Sequence, residues 1–306
     1  MNRTATKPST LAKFMWQSGK LDRNRVIVSA WLFLASVIAY NFWRFDSWSS
    51  DDTLLYSRPK ALASYLSLTG VEGVGSSHLY VLCAQRLALS WKRNVPAESR
   101  EEYDMVLLVT DPYNLLTHKA ASTLRDVGWK LIHVDPLYGK PSASRYLSQN
   151  RYTHTAQFTK LLLWTFEGYE HILYLDADML VVRDLILAIS RYNVTEHTLG
   201  ATHSGDGFHM INAGLLLIHP SVEVYDSMIK ASMFTDYNVE YQEQAFLDVY
   251  WGNNRTVWLP AQVNEYVTNV SAGCIVLHFL GNNKPWNICP DPIVHTWACN
   301  EWSSYD

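Results

Sequence analysis

From about residue 78 onward, short apolar runs alternate with stretches of helical spacing. His78–Ala84 (HLYVLCA) is a compact apolar run and predicts a buried strand. Leu87–Lys92 predicts a helix. Asp104–Thr110 (DMVLLVT) predicts a second strand, closed by the turn signal Asp111-Pro112. Leu115–Val127 carries helical spacing and stops at Gly128. Trp129–Val134 predicts a third strand, followed by Asp135-Pro136. Within Thr155–Glu167, residues Phe158, Leu161, Leu162 and Trp164 fall at helical offsets, and that helix ends before Gly168. His171–Leu175 (HILYL) predicts a fourth strand, which runs into Asp176-Ala177-Asp178. This alternation implies right-handed crossovers and one α/β domain with a mainly parallel central sheet over residues 76–306. Ligands of such sheets bind at the carboxyl ends of the strands.

The N-terminal pattern is different. Val26–Trp43 is an uncharged run of 18 residues between Arg25 and Arg44. As a helix it would span ~27 Å, close to the hydrocarbon thickness of an early secretory membrane. Arg3, Lys7, Lys13, Lys20, Arg23 and Arg25 precede it, and Asp46, Asp51 and Asp52 follow. The positive-inside rule then makes residues 1–25 a cytosolic tail and 26–43 a transmembrane signal anchor. The polar, Ser-rich stretch 44–75 reads as a stem, and the catalytic domain lies in the lumen of the Golgi or another secretory compartment. A cleaved signal peptide ending near Ala39 is the alternative. Sequons at Asn193, Asn254 and Asn269 all follow the anchor. Four cysteines, Cys83, Cys274, Cys289 and Cys299, allow three disulfide connectivities, and Cys289–Cys299, around a short Pro-containing segment, is the first pair to join.

Composition narrows the classes. Hydrophobic residues are 48% and charged residues 18%, which excludes disorder along the whole chain. A net charge of -4 argues against a general nucleic-acid binder. The aromatic content, with 12 Trp and 18 Tyr, suits either core packing or stacking on sugar rings.

Candidate chemistry begins at the end of the fourth strand. Asp176 and Asp178, at i and i+2, share one side in extended geometry. Two hard oxygen donors at a strand end suit Mg²⁺ or Mn²⁺, which can neutralise a diphosphate. A bare D-x-D arises by chance about once in a chain of this kind, so its strand context carries the reading. Asn212-Ala213-Gly214 opens a second apolar strand, where Asn offers a donor and an acceptor and Gly214 permits close approach. Val276–Leu280 delivers His278, a candidate metal ligand, with Gly281 and Lys284 behind it, and Lys284 is a candidate for pairing with phosphate.

Phe158-Thr159-Lys160-Leu161, Tyr174-Leu175-Asp176-Ala177-Asp178, Asn212-Ala213-Gly214, Pro220-Ser221-Val222-Glu223 and His278-Phe279-Leu280-Gly281 leading to Lys284-Pro285-Trp286-Asn287 stand in this order. In these motifs the chain resembles the retaining glycosyltransferases of family 8, in their glycogenin-like form, over roughly residues 78–287. The resemblance implies a nucleotide-sugar-binding domain of the GT-A type, a UDP-sugar donor and a divalent metal, usually Mn²⁺. It implies Asp176, Asp178 and His278 as metal ligands. It further implies Lys160, the Asp176-Ala177-Asp178 triplet, Asn212, Gly214, Gly281 and Lys284 as donor-binding. The family's Asp-Gln pair beside the donor sugar falls on Glu243-Gln244, with Glu one methylene longer. Glu243, Gln244 and Lys284 are the expected catalytic set.

Two features depart from glycogenin itself: the predicted membrane anchor, and only 17 residues between Pro260 and His278, with Tyr266 their lone tyrosine. The expectation is therefore a hexosyltransferase acting on an exogenous glycan, glycoprotein or glycolipid. The alternatives are a non-catalytic lumenal binder of UDP-sugar or glycan, a self-glucosylating primer, and a metal-dependent hydrolase. Retention at the anomeric carbon allows front-face attack or a covalent intermediate on Glu243.

Overall fold

The computed structural model of the chain describes residues 58–68, 73–140, 156–204, 210–289 and 296–305. The predicted tail and anchor at 1–25 and 26–43 lie outside these residues. No helix among the described residues is long and apolar enough to cross a membrane. The compact unit that carries the sheet is Ser57–Asp306.

Among the described residues ten strands follow in chain order: β1 (Lys60–Ser67), β2 (Tyr103–Thr110), β3 (Lys130–His133), β4 (Ile172–Leu175), β5 (Met179–Val181), β6 (Leu199–His203), β7 (Ile211–Ile218), β8 (Thr256–Trp258), β9 (Glu265–Tyr266) and β10 (Val276–His278). The helices are α1 (Gly73–Asn94), α2 (Ala97–Arg100), α3 (His118–Asp126), α4 (Leu185–Ile189), α5 (Val222–Phe234), α6 (Gln242–Arg255), α7 (Pro285–Ile288) and α8 (Thr296–Ser303). Seven strands form the central sheet in the order β3-β2-β1-β4-β7-β6-β8, and β5-β10-β9 form a second, smaller sheet. The central sheet is mainly parallel, as expected, with β7 running antiparallel to both β4 and β6.

Alternating side chains of the central strands feed two apolar layers. Leu62, Leu66, Leu107, Leu173 and Leu217 pack on one face with Cys83, Leu87 and Trp91 of α1 and Leu124 of α3. Ala63, Val106, Tyr174 and Leu216 pack on the other with Phe158, Met228 of α5 and Phe246 of α6. A sheet covered on both faces needs continuous apolar strands, and HILYL and INAGLLLI supply them.

The structure corrects the start of the domain. His78–Ala84 is not a strand but part of the 22-residue helix α1. The first strand is Lys60–Ser67, inside the stretch predicted to be stem, and it lies between β2 and β4. Its sequence KALASYLS is rich in small and hydroxyl residues, so it lacks the apolar signature of a strand although Ala61–Leu66 are all buried. The apolar run in α1 is too short for periodicity to separate strand from helix. The helix expected over Thr155–Glu167 is a 3-10 segment, Gln157–Thr165. The expected strands at Asp104–Thr110, Trp129–Val134 and His171–Leu175 are present within a residue or so at each end. Cys289 and Cys299 are joined in a disulfide, while Cys83 and Cys274 are buried free thiols.

Candidate active site

β4 ends at Leu175, and the chain then turns rather than continuing as a strand. The Asp176 N–H donates to Gly214 O at 2.7 Å, and the Met179 N–H donates back to Asp176 O at 3.2 Å. Asp176-Ala177-Asp178 is therefore the turn between β4 and β5, not the extended segment expected, and its two carboxylates converge because of that turn. β5 leaves it antiparallel to β10, with Met179 opposite His278. The Phe279 N–H donates to Asp178 O at 3.0 Å, which locks the register at the site. His278 Nε2 lies 3.6 Å from Asp178 Oδ1. One ligand atom from each of Asp176, Asp178 and His278 falls within 4.8 Å of the others.

A hydrogen-bond network orients the imidazole. Asn264 Nδ2 donates to Thr202 Oγ1 at 2.8 Å and to Asn212 Oδ1 at 2.9 Å, so its Oδ1 is the acceptor facing His278 Nδ1 at 2.9 Å. Nδ1 must then carry the proton, as the network assigns it. In the neutral ring Nε2 keeps its lone pair on the carboxylate side. A hydrogen bond that fixes the tautomer of a ligating histidine is the usual support for a metal site. Two carboxylates and an imidazole fit Mn²⁺ or Mg²⁺ in donor type.

Gly214 makes the approach of His278 possible. A Cβ at this position would lie 2.7 Å from His278 Cε1, 2.8 Å from Met179 Cε and 2.9 Å from Asn212 Oδ1. The close approach predicted for this glycine is therefore that of a side chain of the protein itself. Gly281 differs: nothing crowds it, and its φ of 59° is what favours glycine there.

Two buried lysines balance the carboxylates. Lys160, on the 3-10 segment, bridges Asp176 at 2.9 Å and Glu243 at 2.8 Å. Burial opposes its charge, but the two carboxylates win and push its pKa up. Burial raises Glu243 above its ordinary value, with repulsion from Asp176 adding to it, although Lys160 opposes the shift. Lys284 caps α7 and donates to the Asp178 carboxylate and to Phe279 O. Burial would raise the Asp178 pKa, but the Lys284 ammonium holds it well below its ordinary value. Tyr80 of α1 lines the same cavity, and burial raises its phenol to about 12.

The cavity over these groups measures about 380 Å³ and takes in Lys160, Asp176, Ala177, Asp178, Asn212, Gly214, Glu243, Gln244, His278, Gly281 and Lys284, so every sequence-predicted site residue lines it. Asn212 is buried, its Oδ1 accepting from the Gly214 N–H at 2.9 Å and its Nδ2 donating to Tyr266 Oη at 3.0 Å. Gln244 Oε1 accepts from the Ala213 N–H at 3.1 Å. Sequence reasoning gave no role to Tyr266, Asn264 or Tyr80. Tyr266 arrives through β9, which pairs with β10 opposite His278, and its ring stands edge-on to the imidazole at 5.8 Å. A two-residue strand carries no periodic signal, so this neighbour was not readable.

Fold and site together define a glycosyltransferase of the GT-A type. The structure is similar to the galactosyltransferase LgtC in complex with donor and acceptor sugar analogues, with a TM-score of 0.54 and 18% identity over 80% of this chain and 94% of that one. It is also similar to the glycosyltransferase GlyE of Streptococcus pneumoniae, at 0.54 and 20% over 80% of this chain and 60% of that one. The chain belongs to glycosyltransferase family 8: the family model, described as glycosyl transferase family 8, matches residues 92–289. Among curated relatives, it is 27% identical over 197 residues to UDP-glucuronate:xylan alpha-glucuronosyltransferase 2 of Arabidopsis thaliana, covering 62% of this chain and 28% of that protein. It is 25% identical over 206 residues to glycogenin-1 of Homo sapiens, covering 61% and 55%. The chain spans 28% to 45% of the length of three such Arabidopsis thaliana relatives.

Gly214→Ala should displace His278 and weaken Mn²⁺ binding by about tenfold or more, the scale seen when support for a metal ligand is lost. Calorimetric titration of Mn²⁺ into folded wild type and variant reads this directly; equal affinities would show that His278 tolerates the Cβ. A second outcome follows from Asp178. Its depressed pKa adds stability that is fully present above the ordinary value of 3.8 and is lost as pH falls through the lower folded value. In EDTA, Asp178→Asn should be less stable than wild type near neutral pH, and the gap in urea midpoint should narrow as pH drops below 3.8. A gap independent of pH would deny the pairing.

Proposed function

We propose that the chain is a retaining, metal-assisted hexosyltransferase that moves a sugar from a UDP-sugar to an exogenous glycan, glycoprotein or glycolipid. The observation that carries this reading is the convergence of Asp176, Asp178, His278 and Lys284 at the end of β4, inside the span matched by the family model. We further propose a type II membrane protein with its catalytic unit in the Golgi or a related lumen. The charge asymmetry around residues 26–43 supports that placement. So do the Cys289–Cys299 disulfide and the exposure of the sequon residues Asn193, Asn254 and Asn269.

Asp176, Asp178 and His278 would hold Mn²⁺ or Mg²⁺, which when bound supplies a Lewis acid against the diphosphate. Lys284 contributes a point charge beside the same carboxylate. Negative charge grows on the departing UDP as the glycosidic bond breaks, so Lys284 counts most in the transition state. Glu243 is held by Lys160 and buried, which leaves it poorly placed to serve as a free nucleophile. Gln244 is a weak nucleophile, with its Oε1 held by the backbone of β7. These restraints favour attack on the leaving-group face, where a phosphate oxygen of departing UDP takes the acceptor's proton.

UDP release from a donor panel with Mn²⁺ tests the reading. Activity should vanish in EDTA and in folded Asp178→Ala. Lys284→Ala should lower kcat by roughly 10²-fold, on the scale of losing one preorganised charge, with a smaller change in donor affinity. Metal-independent turnover, or a Lys284→Ala loss confined to donor affinity, would contradict it.

A further inference from the structure

Gln242 opens α6 with a strained backbone and a buried side-chain oxygen that has no partner. Its φ of 47° and ψ of -126° place it in the left-handed half of backbone space. Among the described residues, only Asn114 shares a positive φ without being glycine, and Asn tolerates that region better than Gln. The Gln242 residue is 8% exposed, it lines the cavity, and its Oε1 is buried with no hydrogen-bond partner. A buried amide oxygen without a partner has lost its water for nothing in return, and native structures keep few of these. Its two neighbours are committed within the protein: Glu243 to Lys160, and Gln244 Oε1 to the Ala213 N–H. Three consecutive acceptors therefore start α6, and the oxygen of the first is left open.

We propose that Gln242 reads the donor sugar, its Oε1 accepting a hydrogen bond from a hydroxyl of the hexosyl ring; this rests on the cavity being the UDP-sugar site. Position favours the donor ring. Glu243 and Asp176 share the Lys160 ammonium, so the start of α6 abuts the carboxylate cluster where the sugar–diphosphate bond must lie. Chemistry favours a hydroxyl. Phosphate and carboxylate oxygens offer no proton to an amide oxygen, whereas a hydroxyl can satisfy either end of the amide. The residue with this strained backbone lines the cavity, and strain of this kind collects at ligand sites.

The test compares wild type, Gln242→Met and Gln242→Gly. Calorimetric titration with Mn²⁺ present measures UDP, UDP-glucose, UDP-galactose, UDP-xylose and UDP-N-acetylglucosamine. In both variants UDP should bind as to wild type, while the UDP-sugar that wild type prefers should bind about tenfold more weakly, the scale of one neutral hydrogen bond. A deoxy donor lacking the contacted hydroxyl should bind wild type and Gln242→Met alike. Glycine adopts the positive φ without a Cβ, so Gln242→Gly should melt no lower than wild type. Equal UDP-sugar affinity in all three proteins would overturn the assignment, even if transfer to an acceptor suffered. So would a parallel loss of UDP affinity and melting temperature in both variants, which marks a role in the fold. Failure of wild type to bind UDP would bring down the donor-site reading together with the inference.

Discussion

The pairing of β5 with β10 holds the site together. It is three residues long, yet it sets His278 beside the turn that carries Asp176 and Asp178. Everything else follows from that register. Gly214 must lack a side chain because the imidazole sits where a Cβ would be. Tyr266 reaches the cluster because β9 pairs with the far side of β10. Lys284 returns to Asp178 because the chain leaves β10 through the turn at Gly281 and enters α7. The large sheet presents the end of β4 and, from β7, Asn212 and Gly214; the small one brings His278 to them.

Charge sets the second constraint. Asp176, Asp178 and Glu243 share one cavity with the ammonium groups of Lys160 and Lys284. Buried ion pairs of this kind are weak contributors to stability, because desolvation offsets most of their attraction. Their retention makes sense as preorganisation. Lys160 fixes Asp176 and Glu243 at once, and Lys284 covers Asp178. A ligand that brings both a cation and a diphosphate would meet charges already arranged for it.

Much of this was legible in the sequence, for identifiable reasons. HILYL, DMVLLVT and INAGLLLI announce themselves because strands covered on both faces are continuously apolar. The carboxylate pair was readable from its place after such a strand, although its geometry is that of a turn. The first strand was hidden because alanine and serine fill β1, and the apolar run inside α1 imitated a strand. Asn264 and Tyr266 were hidden because their relevance is set by β9 and by a hydrogen-bond network, neither of which has a period. Gln242 was invisible for a further reason: it matters through a backbone angle and an absent partner, and one sequence records neither.

Whether His278, through Nε2, completes a metal site with the two aspartates can be read from the bound ion itself. Electron spin echo modulation of bound Mn²⁺ tests it most directly, since it detects nitrogen coordinated to the ion. Wild type should show an imidazole nitrogen coupling that disappears in His278→Ala. Mn²⁺ bound without nitrogen coupling, or a coupling that survives His278→Ala, would contradict it.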